Sequence, residues 1–282
     1  MLVALLAAIA GLVIGMRDGR GHRLLRTLVK DYYAVVGDMG GPLTVVDRGT
    51  WVELEPGLDV HRLVVTRPRN LSDVELVAVR MDPARYRFTV RTTSPAAGWV
   101  SELGEHYGAA AVINGGYFDP RGQPLGLLVS GGVQVSGTLA RAPGRAVFGV
   151  RDGVPFVADA AGLPLDGVTE ALQTTPLLVR EGAEVEGFDE PWRVDRRAAV
   201  CIDAQGRVLF AATDTVLNGL SFSEMAHLMA RGIDRGGLGC VSGMTLDGGT
   251  SAQLWVQGHP DAWVPGYTEV PVYILAIPRA AP

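Results

Sequence analysis

Two short segments pair chemistry-bearing side chains with consecutive glycines. The first is Ile113-Asn114-Gly115-Gly116-Tyr117-Phe118-Asp119, where an apolar run ends in Asn-Gly-Gly. Asn-Gly alone is the preferred sequence of a two-residue hairpin turn. A second glycine, two aromatics and an acid are more than such a turn needs. Adjacent glycines let backbone N–H groups approach a ligand closely, and Asn114 offers both a donor and an acceptor. The second segment is Thr245-Leu246-Asp247-Gly248-Gly249-Thr250-Ser251. It too reads as a hairpin, or else as a carboxylate on a turn whose free N–H groups and hydroxyls can hold an anion or sugar hydroxyls. A third feature is Arg196-Arg197 ahead of Ala198-Ala199-Val200. A basic pair at a strand start is ordinarily a solvated strand end. The functional alternative is one guanidinium turned inward to grip a phosphate through two parallel bonds. Alternation along a strand lets only one of the two arginines face a given cleft.

Strands dominate the elements that must position these residues. Val60–Arg67, Val74–Met81 and Tyr86–Thr92 alternate apolar and polar residues and are rich in valine, which predicts half-buried strands. Ala109–Asn114 is continuously apolar, as in a strand buried on both faces. Ala198–Asp203 and Arg207–Thr213 flank Ala204-Gln205-Gly206 and read as a hairpin with Asp203 in its turn. Met244–Leu246 and Tyr273–Ile277 complete the predicted strands. Two helices are expected, Trp99–Tyr107 and Phe222–Arg231. The second opens on Ser221 and Glu224 in capping-box spacing and carries Phe222, Met225, Leu228 and Met229 on one face. The fold class expected is α+β, a single domain with a large mixed β-sheet and interspersed helices.

The chain has 282 residues, 48% hydrophobic and 20% charged, with a net charge of -5. That is enough to bury a core without metals or many disulfides. No long Lys/Arg block follows residue 30, so nucleic acid is not expected as a partner. The two cysteines, Cys201 and Cys240, form no CxxC signature. They read equally as buried thiols or as one disulfide in an exported domain. No HExxH or EF-hand pattern is present, and His106 and His227 stand isolated on predicted helices, so neither a metal nor another cofactor is expected.

Residues 1–16 form an unbroken apolar run, short for a membrane span and suited to a signal peptide or a membrane anchor. No basic residue precedes it, while Arg17, Arg20, Arg23, Arg26 and Lys30 follow it, the opposite of the usual charge order. A start codon assigned too far downstream accounts for both. The competing reading is a buried N-terminal helix. The expected organisation is a signal peptide or anchor at 1–16, a basic stretch and linker at 17–44, and one domain at 45–282. The location expected is extracytoplasmic, with membrane contact only through the N-terminal segment.

The ordered set of motifs resembles the phosphodiester glycosidase domain family, whose members include an enzyme that removes N-acetylglucosamine from a phosphodiester. The resemblance rests on Asn114–Phe118, Pro124-Leu125-Gly126-Leu127, Pro176-Leu177-Leu178-Val179, Arg197 before Ala198-Ala199-Val200, and Leu246–Ser251, and spans roughly 74–278. Cys201 stands where a glycine often follows the Arg strand, and Thr250 where many members have a third glycine. The resemblance implies hydrolysis of a sugar-1-phosphodiester on an envelope or extracellular glycan, at a site near Asn114, Arg197, Asp247 and Ser251. Gly115, Gly116, Gly248 and Gly249 would offer backbone donors. Asp247 would activate water or stabilise the sugar cation, with Asp119 in reserve. An ordinary glycosidase, which needs two carboxylates, and a non-catalytic glycan- or exopolysaccharide-binding module are the alternatives.

Overall fold

The computed structural model describes residues 43–67, 73–94, 96–188, 193–215 and 219–279. The apolar run at 1–16 and nearly all of the basic stretch lie outside the described residues. In chain order the strands are β1 (Thr44–Asp47), β2 (Val52–Glu55), β3 (Leu58–Thr66), β4 (Val74–Met81), β5 (Tyr86–Thr92) and β6 (Ala111–Asn114). There follow β7 (Leu128–Ser130), β8 (Val133–Ser136), β9 (Ala146–Arg151), β10 (Val154–Asp159), β11 (Val168–Thr174), β12 (Leu177–Arg180) and β13 (Ala183–Glu184). The last are β14 (Ala198–Asp203), β15 (Val208–Asp214), β16 (Cys240–Thr245), β17 (Leu254–Val256) and β18 (Val272–Pro278). The α-helices are α1 (Val100–Tyr107) and α2 (Phe222–Ala230).

The strands form three sheets. A nine-stranded sheet runs β1-β3-β4-β15-β14-β16-β12-β13, with β2 also on β3. A five-stranded sheet runs β10-β9-β11-β7-β8, and a four-stranded one runs β17-β6-β18-β5. The large sheet is present, but every described pairing between strands is antiparallel rather than mixed. Among the described residues the fold is mainly β, with α1 and α2 as its α-helices. The sequence reading missed β7 to β11, although Gly131-Gly132 and Asp152-Gly153 are hairpin signals flanked by valines.

Alternation builds the layers. In β14 and β15, Ala198, Val200, Phe210 and Ala212 face Val90, Ile113, Phe148 and Ile274 of the two smaller sheets in the main core. Ala199, Cys201, Leu209 and Ala211 face the other way, onto Met225, Leu228 and Met229 of α2. The predicted capping box holds α2, with the Ser221 hydroxyl accepting from Glu224 N and a Glu224 carboxylate oxygen accepting from Ser221 N. Helix α1 covers the outer face of the four-stranded sheet through Val100 and Leu103 against Val112, Trp255 and Tyr273. Gly104 permits this contact, because a Cβ there would lie 2.2 Å from the Trp255 ring. Asp203 closes its hairpin as expected, accepting from the N–H groups of Gln205 and Arg207 and pairing with the Arg207 side chain at 2.7 Å.

Cys201 on β14 and Cys240 on the neighbouring β16 form a disulfide, with their Cα atoms 5.9 Å apart. The bridge closes a loop between positions 39 apart in sequence. Reducing it is expected to lower unfolding free energy by about 2–4 kcal/mol. Urea melts with and without reductant check this, and coincident curves would contradict it.

Candidate active site

Strands β6 and β16 belong to different sheets, yet their C-terminal ends meet. The Asp247 N–H donates to the Gly115 carbonyl at 2.9 Å, joining the two Gly-Gly loops directly. Asn114, with no exposed surface, fastens the junction with its side chain. Its Nδ2 donates to the Asp247 carbonyl at 2.7 Å, and its Oδ1 accepts from Gln253 N at 3.0 Å. Asn114 therefore spends its amide on main-chain partners and acts as a clamp, not as a group presented to a ligand. Gln253, which the sequence reading passed over, is the clamp's counterpart. It is buried, exchanges bonds with Asn114, and holds Val100 N, Ser251 O and Thr268 O with its side chain. A lone polar residue inside the apolar segment Ala252–Val256 was its available signal.

The glycines are required by close backbone approach. A Cβ on Gly115 would lie 2.6 Å from Val272 Cγ1 and 2.9 Å from the Val272 carbonyl carbon, and one on Gly248 would lie 2.6 Å from the Arg196 carbonyl oxygen. Gly249 has φ +59° and opens the short 3-10 turn Gly249–Ser251. Thr250 occupies this turn without positive φ, so a side chain is tolerated where a third glycine is common. Two of the four amides are used, Gly115 N by Val272 O at 2.7 Å and Gly249 N by Arg196 O at 2.9 Å. The N–H groups of Gly116 and Gly248 donate to no described group.

The arginine pair separates as alternation requires, but both members are buried, not solvated. Arg196 turns towards the β17–β18 connection, where Nη2 donates to Pro265 O at 2.6 Å and the guanidinium lies 4.3 Å from the Tyr267 ring centre. Its Nε and Nη1 are buried without a described partner. Arg197 turns to the α2 side, 3.9 Å over the Phe222 ring, with Nε on Leu220 O at 2.7 Å and Nη2 on Arg193 O at 2.9 Å. These two bonds occupy the edge that a two-bond grip on phosphate would use, which corrects that expectation. Nη1 remains, 3.9 Å from where a Gly248 Cβ would sit. Burial lowers the pKa of both arginines, and the neighbouring Asp195 carboxylate opposes this for each, joined by Asp214 for Arg196. An arginine side chain is not deprotonated in proteins, so both remain cations at neutral pH.

Tyr117 joins this group. Its hydroxyl donates to Thr175 O at 2.8 Å, and its pKa is pushed up to about 12 by burial first and then by the Asp247 carboxylate, against Arg197 and Arg193. The phenol is thus a neutral hydroxyl beside Asp247 and Arg197. Ser251 is buried, on the turn that follows Asp247. Asp119 is not drawn in, because its Oδ1 accepts from Arg121 N at 2.8 Å and Gln123 N at 2.9 Å and so closes its own turn. Asp195, also unremarked in the sequence, stands beside Gly249, with both carboxylate oxygens 3.6 Å from where a Cβ would be. Among the described residues no three His, Cys, Asp or Glu side chains are grouped to hold a metal.

Among the described residues, a half-buried carboxylate thus shares one strand-end junction with a guanidinium nitrogen and two amides that have no described partner. The chain matches the family model described as phosphodiester glycosidase over residues 107–276. Among solved structures it resembles the catalytic domain of zebrafish N-acetylglucosamine-1-phosphodiester alpha-N-acetylglucosaminidase, auto-inhibited by its pro-peptide. That match has a TM-score of 0.62 and 18% identity, and covers 87% of this chain and 93% of the other. A hypothetical protein from Synechocystis matches with a TM-score of 0.58 and 15% identity, over 85% of this chain and 64% of the other. A protein of Burkholderia pseudomallei matches with a TM-score of 0.54 and 14% identity, over 76% and 77%. A sequence search of curated proteins finds no match. These structural likenesses show a shared fold, and the family model spans more than half of the sequence, including both glycine loops and the arginine strand: the chain belongs to the phosphodiester glycosidase family.

Proposed function

We propose that the protein hydrolyses the glycosidic bond of a sugar-1-phosphodiester carried on an envelope or extracellular glycan. The observation that carries this reading is the set of unpaired donors, Arg197 Nη1 with the Gly116 and Gly248 amides, beside the Asp247 carboxylate. The leaving group of such a substrate is a phosphate monoester, whose second pKa is about 6. It departs without a strong acid but needs fixed donors aimed at its growing charge. Asp247 faces the sugar side, where a carboxylate activates water or stabilises the oxocarbenium-like centre. No cofactor enters this scheme.

Export of the domain is part of the same reading. The Cys201–Cys240 disulfide supports it, since such bridges persist in oxidising compartments. In this reading residues 1–16 deliver or anchor the protein, 17–44 link, and 45–282 form the hydrolase domain. Among the described residues no helix is long and apolar enough to cross a membrane.

The test is turnover of a sugar-1-phosphodiester library by the purified protein, followed by 31P NMR. At least one diester is expected to yield a phosphate monoester, while p-nitrophenyl glycosides stay intact. Cleavage of the p-nitrophenyl glycosides alone would favour an ordinary glycosidase. Binding of diesters without turnover would favour a glycan-binding module.

A further inference from the structure

We infer that Asp195 is a second catalytic carboxylate of this site, the base that takes a proton from the attacking water, while Asp247 faces the positive charge that develops on the sugar. The inference rests on the hydrolase reading above and adds to it the residue that moves the proton.

Asp195 is held firmly. Its main chain exchanges two bonds with Leu220, Asp195 N to Leu220 O at 3.2 Å and Leu220 N to Asp195 O at 2.9 Å. Its side chain is only half committed. Oδ1 accepts from Arg196 N at 2.9 Å, and Oδ2 accepts from no described group. The carboxylate faces the bare side of Gly249, where a Cβ would sit 3.6 Å from both oxygens. That face is open because Gly249 has no side chain, and Gly249 is two residues past Asp247. Asp195 and Asp247 therefore both border this glycine turn, one from the segment that leads into β14, where Asp195 bridges to Leu220, and one from the end of β16. Two buried cations sense Asp195 as well, since its charge acts on both Arg196 and Arg197. An acid whose task was only to cap Arg196 N would not need to point into a gap kept free by a glycine.

The step balances simply. The water oxygen attacks the anomeric carbon, and the bond from that carbon to the phosphate oxygen breaks. The bonding pair leaves with the phosphate monoester, whose charge meets Arg197 Nη1 and the glycine amides. The water proton passes to Asp195 Oδ2, and the resulting carboxylic acid returns it to solvent. One displacement inverts the anomeric centre.

The experiment compares wild type with Asp195→Asn and Asp195→Glu on a diester that the wild type cleaves. Asp195→Asn can keep the bond to Arg196 N but cannot accept the proton. It is expected to lose about 10²–10⁴ in kcat, the range for general-base removal, with KM changed less than threefold. Azide, which needs no base, should restore sugar release as the glycosyl azide. Asp195→Glu, which keeps a carboxylate base, should retain part of the rate. The sugar first released by wild type should have inverted configuration by 1H NMR, a readout independent of any variant's folding. Retention, a rate for Asp195→Asn within threefold of wild type, or a slowed variant that azide does not rescue would each overturn the assignment while leaving the hydrolase reading in place. No turnover of any diester by wild type would remove that reading and this inference with it.

Discussion

Arg197→Lys is expected to lower kcat on a sugar-1-phosphodiester by about two to three orders of magnitude in a protein that still folds. A lysine keeps the charge but cannot hold Leu220 O and Arg193 O while also offering a third nitrogen beside Gly248. The lost contact is made to a group whose charge grows in the transition state. Deletion of such donors costs about 2–4 kcal/mol in the barrier, and each 1.36 kcal/mol is about tenfold in rate. The two carbonyl bonds have a charged donor and are worth about 1.5–3 kcal/mol each; a lysine can keep one of them, so some stability is lost while the fold is expected to survive. Arg196→Lys provides the contrast. It disturbs the bond to Pro265 O and the stacking on Tyr267, which lie on the opposite side of the strand. Its cost is expected in stability, with kcat within about threefold of wild type. Steady-state kinetics and thermal melts on both variants check the pair. A larger rate loss for Arg196→Lys would mean that the catalytic arginine is misassigned.

Asn114→Ala is expected to be the most destabilising single change at the junction. Its side chain is fully buried and satisfies the Asp247 carbonyl and the Gln253 N–H at once. Truncation orphans both, at about 1–3 kcal/mol for each buried group, so the loss should be about 2–5 kcal/mol in urea unfolding. Activity should fall too, because the Gly115–Asp247 bond alone would then hold the loops together. Asn114→Asp keeps an acceptor for Gln253 N but faces the Asp247 carbonyl with an oxygen, so it should be no better tolerated. A loss below about 0.5 kcal/mol for Asn114→Ala would mean that the clamp is not needed.

Local pattern made much of this architecture legible. Val74–Met81, Tyr86–Thr92 and Ala198–Asp203 appear with the ends that alternation predicts, and Ser221 with Glu224 announces α2. The split between Arg196 and Arg197 follows from the same period of two. What could not be read depends on pairing between distant segments. Nothing local says that β6 and β16 belong to different sheets whose ends touch, so the clamping role of Asn114 stayed hidden behind its donor-and-acceptor chemistry. Burial of Arg196 depends on Pro265 and Tyr267, far along the chain. Asp195 went unremarked in the sequence, because its place shows only when Gly249 lies against it. Asp119 misled in the opposite sense, because an acid after an aromatic pair also suits the turn that it closes.

On the proposed function, this junction breaks the bond between sugar carbon and phosphate oxygen, with the phosphate as leaving group. Hydrolysis in 18O-labelled water, followed by mass spectrometry of both products, tests it most directly. The label is expected on the anomeric oxygen of the released sugar and not in the phosphate monoester. Label in the phosphate would show attack at phosphorus, and would contradict the assignment of Arg197 and the glycine amides to a departing phosphate.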